Sequence, residues 1–174
     1  MEVSFISKLR QEDMYEFNMY HAYHSTQGPI AIILGIISIA AAILTFGRVT
    51  MFYTIAYAVV GVLFFIYLPL TLKARSGRQI GAGSPLSGNI EYTLNEKGLT
   101  VKVELPEGAE NSDNTASMTW DSVYKIVTTK NELLIFTSRM NAYVIPKRDM
   151  EGKITEVKQV LTENVKDYRI KWTW

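Results

Sequence analysis

Cysteine is absent from this chain, which removes disulfide frameworks, thiolate metal sites and cysteine nucleophiles from consideration. That absence fits a reducing compartment and fits equally an exported chain without disulfides. Histidine occurs only at His21 and His24. The two share a helical face but have no acid or cysteine at ligand spacing, so ordinary surface histidines are favoured over a metal site. No serine lies in a Gly-x-Ser-x-Gly setting, and neither a Walker nor a dinucleotide-binding pattern occurs. Charge of one sign is lacking too: 18 Lys+Arg stand against 17 Asp+Glu, which is no basic footprint for nucleic acid. The reading is of a non-enzymatic protein with no catalytic residue, metal ligand or cofactor-binding residue to assign.

What is present is an apolar run from Ile30 to Leu72, broken once at Gly47-Arg48-Val49-Thr50. At the helical rise, Ile30–Gly47 spans roughly 27 Å and Met51–Leu72 roughly 33 Å, both close to a ~30 Å hydrocarbon core. Backbone polar groups in lipid must be paired within their own element, so both segments are expected as helices. Joined by about four residues, they form a tight antiparallel hairpin. A signal peptide fits poorly, because the first segment follows nearly thirty residues rich in acids and aromatics. Neither segment contains Asp, Glu, Lys, Arg or His, which argues against a pump or ion-coupled transporter.

Lys73, Arg75 and Arg78 follow the second segment, whereas the turn carries only Arg48. Lys8 and Arg10 add a weaker bias on the same side. The positive-inside rule then predicts a cell-membrane protein with two helices and both termini cytoplasmic. Ala31, Gly35, Ser38 and Ala42 recur at spacings of four, three and four, a candidate helix–helix seam with Gly61 and Ala58 opposite. Pro69 is expected to bend the inner end of the second helix. Tyr53, Tyr57 and Tyr67 read as interface anchors.

Residues 1–29 form an N-terminal arm, with a strand over Val3 and Phe5, an interfacial helix over QEDMYEFNMYHAYHS, and a break at Gly28-Pro29. Glu12, Asp13 and Glu16 suit the helix's first turns. Residues 73–88 read as a basic, Gly/Ser-rich flexible connection. From residue 89 the texture changes to alternating runs: IEYTLNE, GLTVKVEL, Ala116–Trp120, Ser122–Thr129, LLIFTS and AYVIP. EGAENSDNTA is a polar excursion, Asn131-Glu132 a turn, and Pro146 a strand end. Asp149 is the expected cap of a helix reaching about Val165, with Ile154, Val157, Val160 and Leu161 as its apolar stripe. The fold class is thus α+β: a two-helix transmembrane hairpin and a small sheet domain of six strands closed by a C-terminal helix. The arm supplies a seventh strand.

This order resembles a pleckstrin-homology-like barrel. The stretches EDMYEFNMYHAYHS, YLPLTLK, IEYTLNEKGLTV, MTWDSVYKIVTTKNELLIFTS and AYVIPKR resemble the YcxB family of bacterial membrane proteins. The resemblance covers nearly the whole chain; its most specific parts are Trp120-Asp121, beginning a strand, and Ile145-Pro146-Lys147-Arg148, closing one. It implies an arm, two membrane helices and a cytoplasmic YcxB-like domain over residues 89–174. It implies no reaction, cofactor or catalytic residue.

Trp120 is expected in the core. Lys73, Arg75, Arg78, Lys147 and Arg148, joined by Arg139 and Lys125, are the candidate membrane- or phosphate-facing residues. The expected partners are the lipid bilayer and either a protein partner or a second copy. Two functions follow: a membrane-anchored interaction or regulatory module, or a protective protein neutralising a membrane-active toxin through its hairpin.

Overall fold

The computed structural model describes residues 1–81, 83–104 and 114–173; most of the polar excursion expected at Glu107–Ala116 lies outside them. The chain divides into two compact units. One comprises Met1–Met14 with the residues from Gln79 onward; the other is Tyr15–Arg78.

The first unit is built from two four-stranded sheets. β1 (Val3–Ser7), β2 (Ile90–Asn95), β3 (Gly98–Val103) and β4 (Thr115–Thr119) form an antiparallel sheet in that order. β1 pairs with β2 in the register Val3↔Leu94 to Ser7↔Ile90. The arm therefore supplies the seventh strand expected from its alternation: Val3, Phe5 and Ser7 are buried, opposite Leu94, Tyr92 and Ile90. β5 (Lys125–Thr128), β6 (Glu132–Phe136) and β7 (Ala142–Pro146) form an antiparallel meander in the second sheet. β8 (Ile170–Lys171) adds a parallel edge on β5. Nothing in the sequence pattern predicts β8. It is only two residues long, and just beyond it the Thr173 N–H donates to Thr128 Oγ1 at 2.7 Å.

The core lies between these sheets. Tyr92, fully buried on β2, stacks on Phe5 at 5.7 Å and meets the edge of Tyr143 at 6.4 Å. Its hydroxyl donates to the Val144 carbonyl on β7 at 3.4 Å, and burial raises its pKa far above the ordinary phenol range. β6 is buried along its whole length, in keeping with the unbroken apolar run from Leu133 to Phe136. α4 (Ile154–Asn164) covers the core with Val157, Val160 and Leu161.

Several expectations need correction. Trp120-Asp121 does not begin a strand: it opens a short 3-10 turn, Trp120–Ser122, between the sheets. Trp120 is buried as expected, and its indole N–H donates to the Asn95 carbonyl at 2.7 Å. Trp120→Phe should keep most of the packing but strip that carbonyl of its donor. A loss of about 1–2 kcal/mol is expected in denaturant unfolding of the detergent-solubilised chain. Glu132 is not in a turn but is the buried first residue of β6. Asp149 does not cap the helix; it sits in a 3-10 turn, Lys147–Met150, and accepts from Ser7 Oγ at 2.7 Å and Lys8 N–H at 3.1 Å.

α1 (Gln11–His24) starts in the first unit and ends in the second. Asp13, Met14, Phe17, Asn18 and Ala22 are its buried residues and lie along one side of the helix, while Glu12 and His24 are exposed. In the second unit, α2 (Gln27–Thr45) and α3 (Met51–Gln79) are each long and apolar enough to cross a membrane. Only 17% of the first span and 11% of the second are buried, whereas a core helix of a soluble protein would be mostly buried. The break between α1 and α2 falls at Ser25-Thr26 rather than at Gly28-Pro29. Pro29 lies in the first turn of α2, where the missing N–H costs little. Gly28 is required there, because a Cβ would lie 2.8 Å from the Ala22 carbonyl oxygen.

The connection expected to be flexible from Lys73 is helical through Gln79, Gly77 included. Pro69 therefore lies inside α3, well before its end. β1 and β2, which flank α2 and α3 in sequence, belong to one sheet.

Candidate functional site

The basic residues singled out from the sequence fall into two groups, one in each unit. Lys73, Arg75 and Arg78 occupy the last turns of α3, directly after its apolar span, and all three are exposed. At about 100° per residue, Arg75 and Arg78 share a face while Lys73 points elsewhere. Between them Ser76 is fully buried; Asn18 Nδ2 donates to its hydroxyl at 2.8 Å, and that hydroxyl donates to the Leu72 carbonyl. This ties α1 to the helical extension and holds the basic turns in regular helix. Arg78, in the last turn, also suits the negative end of the helix dipole.

In the first unit, Arg148 is committed to the protein itself. Its two terminal nitrogens donate to Asp13 Oδ1 and Oδ2, both at 2.7 Å, and Nη2 also donates to the Lys8 carbonyl at 3.1 Å. Nε lies 3.4 Å from Asp149 Oδ1. The hydrogen bonds to Asp13 raise the Arg148 pKa further above its already high ordinary value. By sequence Asp13 is a helix-dipole residue. It does cap the start of α1 through the Arg10 N–H at 2.6 Å, but its main partner is 135 positions away. No local pattern announces such a pair. The only sequence signal is an acid and an arginine at the ends of two strong elements.

Ser7, Lys8, Asp13, Arg148 and Asp149 thus form one polar network joining the end of β1, the start of α1 and the turn after β7. Beside it, a recess of about 470 Å³ is lined by Ser4, Ile6, Glu91, Asp149, Glu151 and Lys153. The network's chemistry is that of a clasp. Ser7 donates to the Asp149 carboxylate, which also accepts from the Lys8 N–H and lies beside the Arg148 guanidinium, so these groups are paired with one another.

The other basic residues have local ties as well. Lys125 Nζ lies 4.5 Å over the Phe136 ring, and Lys147 N–H donates to the Asn131 carbonyl at 2.7 Å. Arg139 is exposed in the turn between β6 and β7. In the arm, the His24 ring stacks on Tyr20 at 4.0 Å and its Nδ1–H donates to the Tyr20 carbonyl, while His21 lies 6.2 Å from Phe17.

The small residues of the hairpin are placed as follows. Gly35 and Gly61 come together: a Cβ on Gly61 would lie 2.6 Å from Ile39 Cγ1 and 3.2 Å from the Gly35 carbonyl oxygen. Ala42 is buried, and Ala31, Ser38 and Ala58 are half-buried. Toward the turn, Thr45 and Thr54 approach through their hydroxyls at 3.3 Å. An apolar groove of about 470 Å³ there is lined by Ile39, Ala42, Phe46, Thr54 and Val62.

Two helices long and apolar enough to cross a membrane interrupt a double-sheet domain, and the protein is of the α+β class. Residues 95–161 match the family described as YcxB-like protein, a stretch that runs from the end of β2 into α4. The chain therefore carries a YcxB-like domain in its first unit. No curated protein and no solved structure matches the chain.

Proposed function

We propose that this is a membrane-anchored, non-enzymatic interaction or regulatory module of the cell membrane. Its hairpin crosses the bilayer twice, both termini are cytoplasmic, and its soluble unit binds a protein partner or the inner-leaflet surface. The carrying observation is that the arm and the C-terminal segment, which flank the hairpin in sequence, build one cored domain through β1–β2 pairing. An anchor alone needs no such domain. A four-strand meander, a three-strand meander and a closing helix, in that order, support a pleckstrin-homology-like barrel. Lys73, Arg75 and Arg78 at the end of an apolar span support the cytoplasmic assignment. The clasp chemistry around Arg148 supports a structural rather than a catalytic use of the polar network.

The soluble surface offers large apolar groups for contact: Tyr168 is 77% exposed and Tyr124 is 48% exposed. A photo-cross-linking residue at either position, in the full chain in native membranes, is expected to capture a discrete protein or lipid adduct. The same residue at Phe46 or Tyr53 on the hairpin is the comparison. Adducts with a foreign protein from the hairpin positions alone would sink the module reading and favour toxin neutralisation by the membrane segment.

A further inference from the structure

The two ends of the first sheet are finished differently. In an antiparallel ladder, hydrogen-bonded pairs alternate with non-bonded ones. Glu104 N–H donates to the Asn89 carbonyl and Val103 N–H to the Asn114 carbonyl, which sets the phase across the whole sheet. On β1, the backbone groups of Val3, Phe5 and Ser7 face β2, leaving Ser4 and Ile6 to point outward. That edge is blunted: Lys153 Nζ donates to the Ser4 carbonyl at 2.6 Å.

On β4 the same phase turns Ala116 and Met118 toward β3, and leaves the N–H and C=O groups of Thr115, Ser117 and Thr119 pointing away from it. Among the described residues no strand lies outside β4. The strand carries no charge, no proline and no bulge, the usual devices that keep an edge from pairing. Four of its five residues are exposed.

We infer that β4 pairs with β4 of a second copy, antiparallel and centred on Ser117, joining two sheets into one. The occupant follows from the strand's own order, Thr-Ala-Ser-Met-Thr, which keeps its pattern when reversed. Centring on Ser117 sets Thr115 opposite Thr119, Ala116 opposite Met118, and Ser117 opposite itself. Thr115, Ser117 and Thr119 are the residues with outward-facing backbone groups, so each of their pairs exchanges both N–H···O bonds. Centring on Ala116 or Met118 would pair only two of these three residues within the strand, and centring between residues would oppose groups already used by β3.

The side chains agree with that register. Ala116 and Met118 lie on the same face as Leu99 and Val101, so a small residue meets a large one on the core side. Hydroxyls meet hydroxyls on the other face, where Ser117 already contacts Thr100 at 3.3 Å. No like charges face each other within the strand. The interface is two-fold and self-complementary, as closed dimers require. It is also short, ending where Trp120 enters its 3-10 turn. Five residues give weak association in dilute solution, and copies confined to one membrane meet at raised effective concentration.

The chain's lack of cysteine makes the test clean. Ser117→Cys in the full chain, oxidised in native membranes, is expected to give a disulfide dimer, since hydrogen-bonded partners stand about 5.5 Å apart at Cα. Glu91→Cys, exposed on β2, should stay monomeric under the same oxidation. The pair Thr115→Cys and Thr119→Cys is the second probe. On one extended strand they are roughly 13 Å apart, beyond bridging within a chain, so a disulfide reports two copies. Adding Ser117→Pro removes only an outward N–H and leaves the β3 ladder intact; it should abolish that dimer without lowering the thermal midpoint much. Equal cross-linking of the Ser117→Cys and Glu91→Cys chains would overturn the pairing. So would survival of the second-probe dimer once Ser117→Pro is added, or an adduct whose mass is not twice the chain. An adduct at position 168 with a foreign partner bears on the module reading alone, so the two proposals fail separately.

Discussion

Arg148→Ala is expected to destabilise the soluble unit by about 2–3 kcal/mol, measured by denaturant unfolding of the detergent-solubilised full chain. The magnitude follows from what is left behind rather than from what is removed. The Asp13 side chain is only 7% exposed and takes both of its long-range hydrogen bonds from one guanidinium. Without Arg148 it retains the Arg10 N–H at 2.6 Å and loses its ion-pair partner. The cost stays below that for a fully buried pair because the Arg148 side chain is itself 35% exposed and partly screened.

Arg148→Lys should recover less than half of the loss. An ammonium cannot hold both carboxylate oxygens in the forked geometry, nor reach the Lys8 carbonyl at the same time. Asp13→Ala combined with Arg148→Ala should be less damaging than the sum of the two, with a coupling of about 1–2 kcal/mol. Near-additive losses would show that the pair is not a clasp. The sign of any pH effect from Arg148 is fixed by its raised pKa. Its contribution is complete below the ordinary arginine value and lost only above it, so unfolding between neutral and mildly alkaline pH should not register it.

The sequence is most legible where the pattern is local. Alternation at Val3, Phe5 and Ser7 announces β1, and the apolar pattern from Ile154 to Leu161 announces α4. Two uncharged runs announce α2 and α3. Legibility fails where tertiary contacts override composition. Residues 73–79 hold two arginines, a lysine, a serine and a glycine, a composition that reads as a linker. They stay helical, with Ser76 buried against Asn18, a contact no single segment reveals. Asp149 has the right type and place for a cap, yet its carboxylate is taken by Ser7 and Lys8 from the other end of the chain. Glu132 looks like a turn residue because it follows Asn131, but the strand starts one residue earlier than the apolar run and buries it. The basic residues are legible as charges and not as partners. Adjacency groups Arg148 with Lys147, whereas geometry gives its guanidinium to Asp13.

Gly61→Leu is the second large effect expected, about 2–3 kcal/mol or more of lost hairpin stability in reversible unfolding by a denaturing detergent. In lipid the leucine side chain is as favourable as the tails it displaces, so insertion should be unimpaired; what is lost is helix–helix contact. The first added carbon is already too close. A Cβ at 61 would stand 2.6 Å from Ile39 Cγ1, with the Gly35 carbonyl oxygen and the Ile39 nitrogen both at 3.2 Å. Backbone blocks retreat on that side, so α2 and α3 must separate. Gly35→Ala is the instructive contrast. Its Cβ would meet Phe65 Cε2 at 2.8 Å, the far end of a side chain that can rotate toward lipid. Gly35→Ala should therefore cost less than Gly61→Ala, although both glycines sit at one crossing. Close approach at this crossing is combined with an apolar groove nearer the turn, where Thr45 and Thr54 face each other. Prying the crossing apart should widen that groove, and the Thr45→Cys/Thr54→Cys disulfide should form more slowly in the Gly61→Leu background. Unchanged disulfide formation and unchanged unfolding would mean that the glycine pair does not set the distance between the helices.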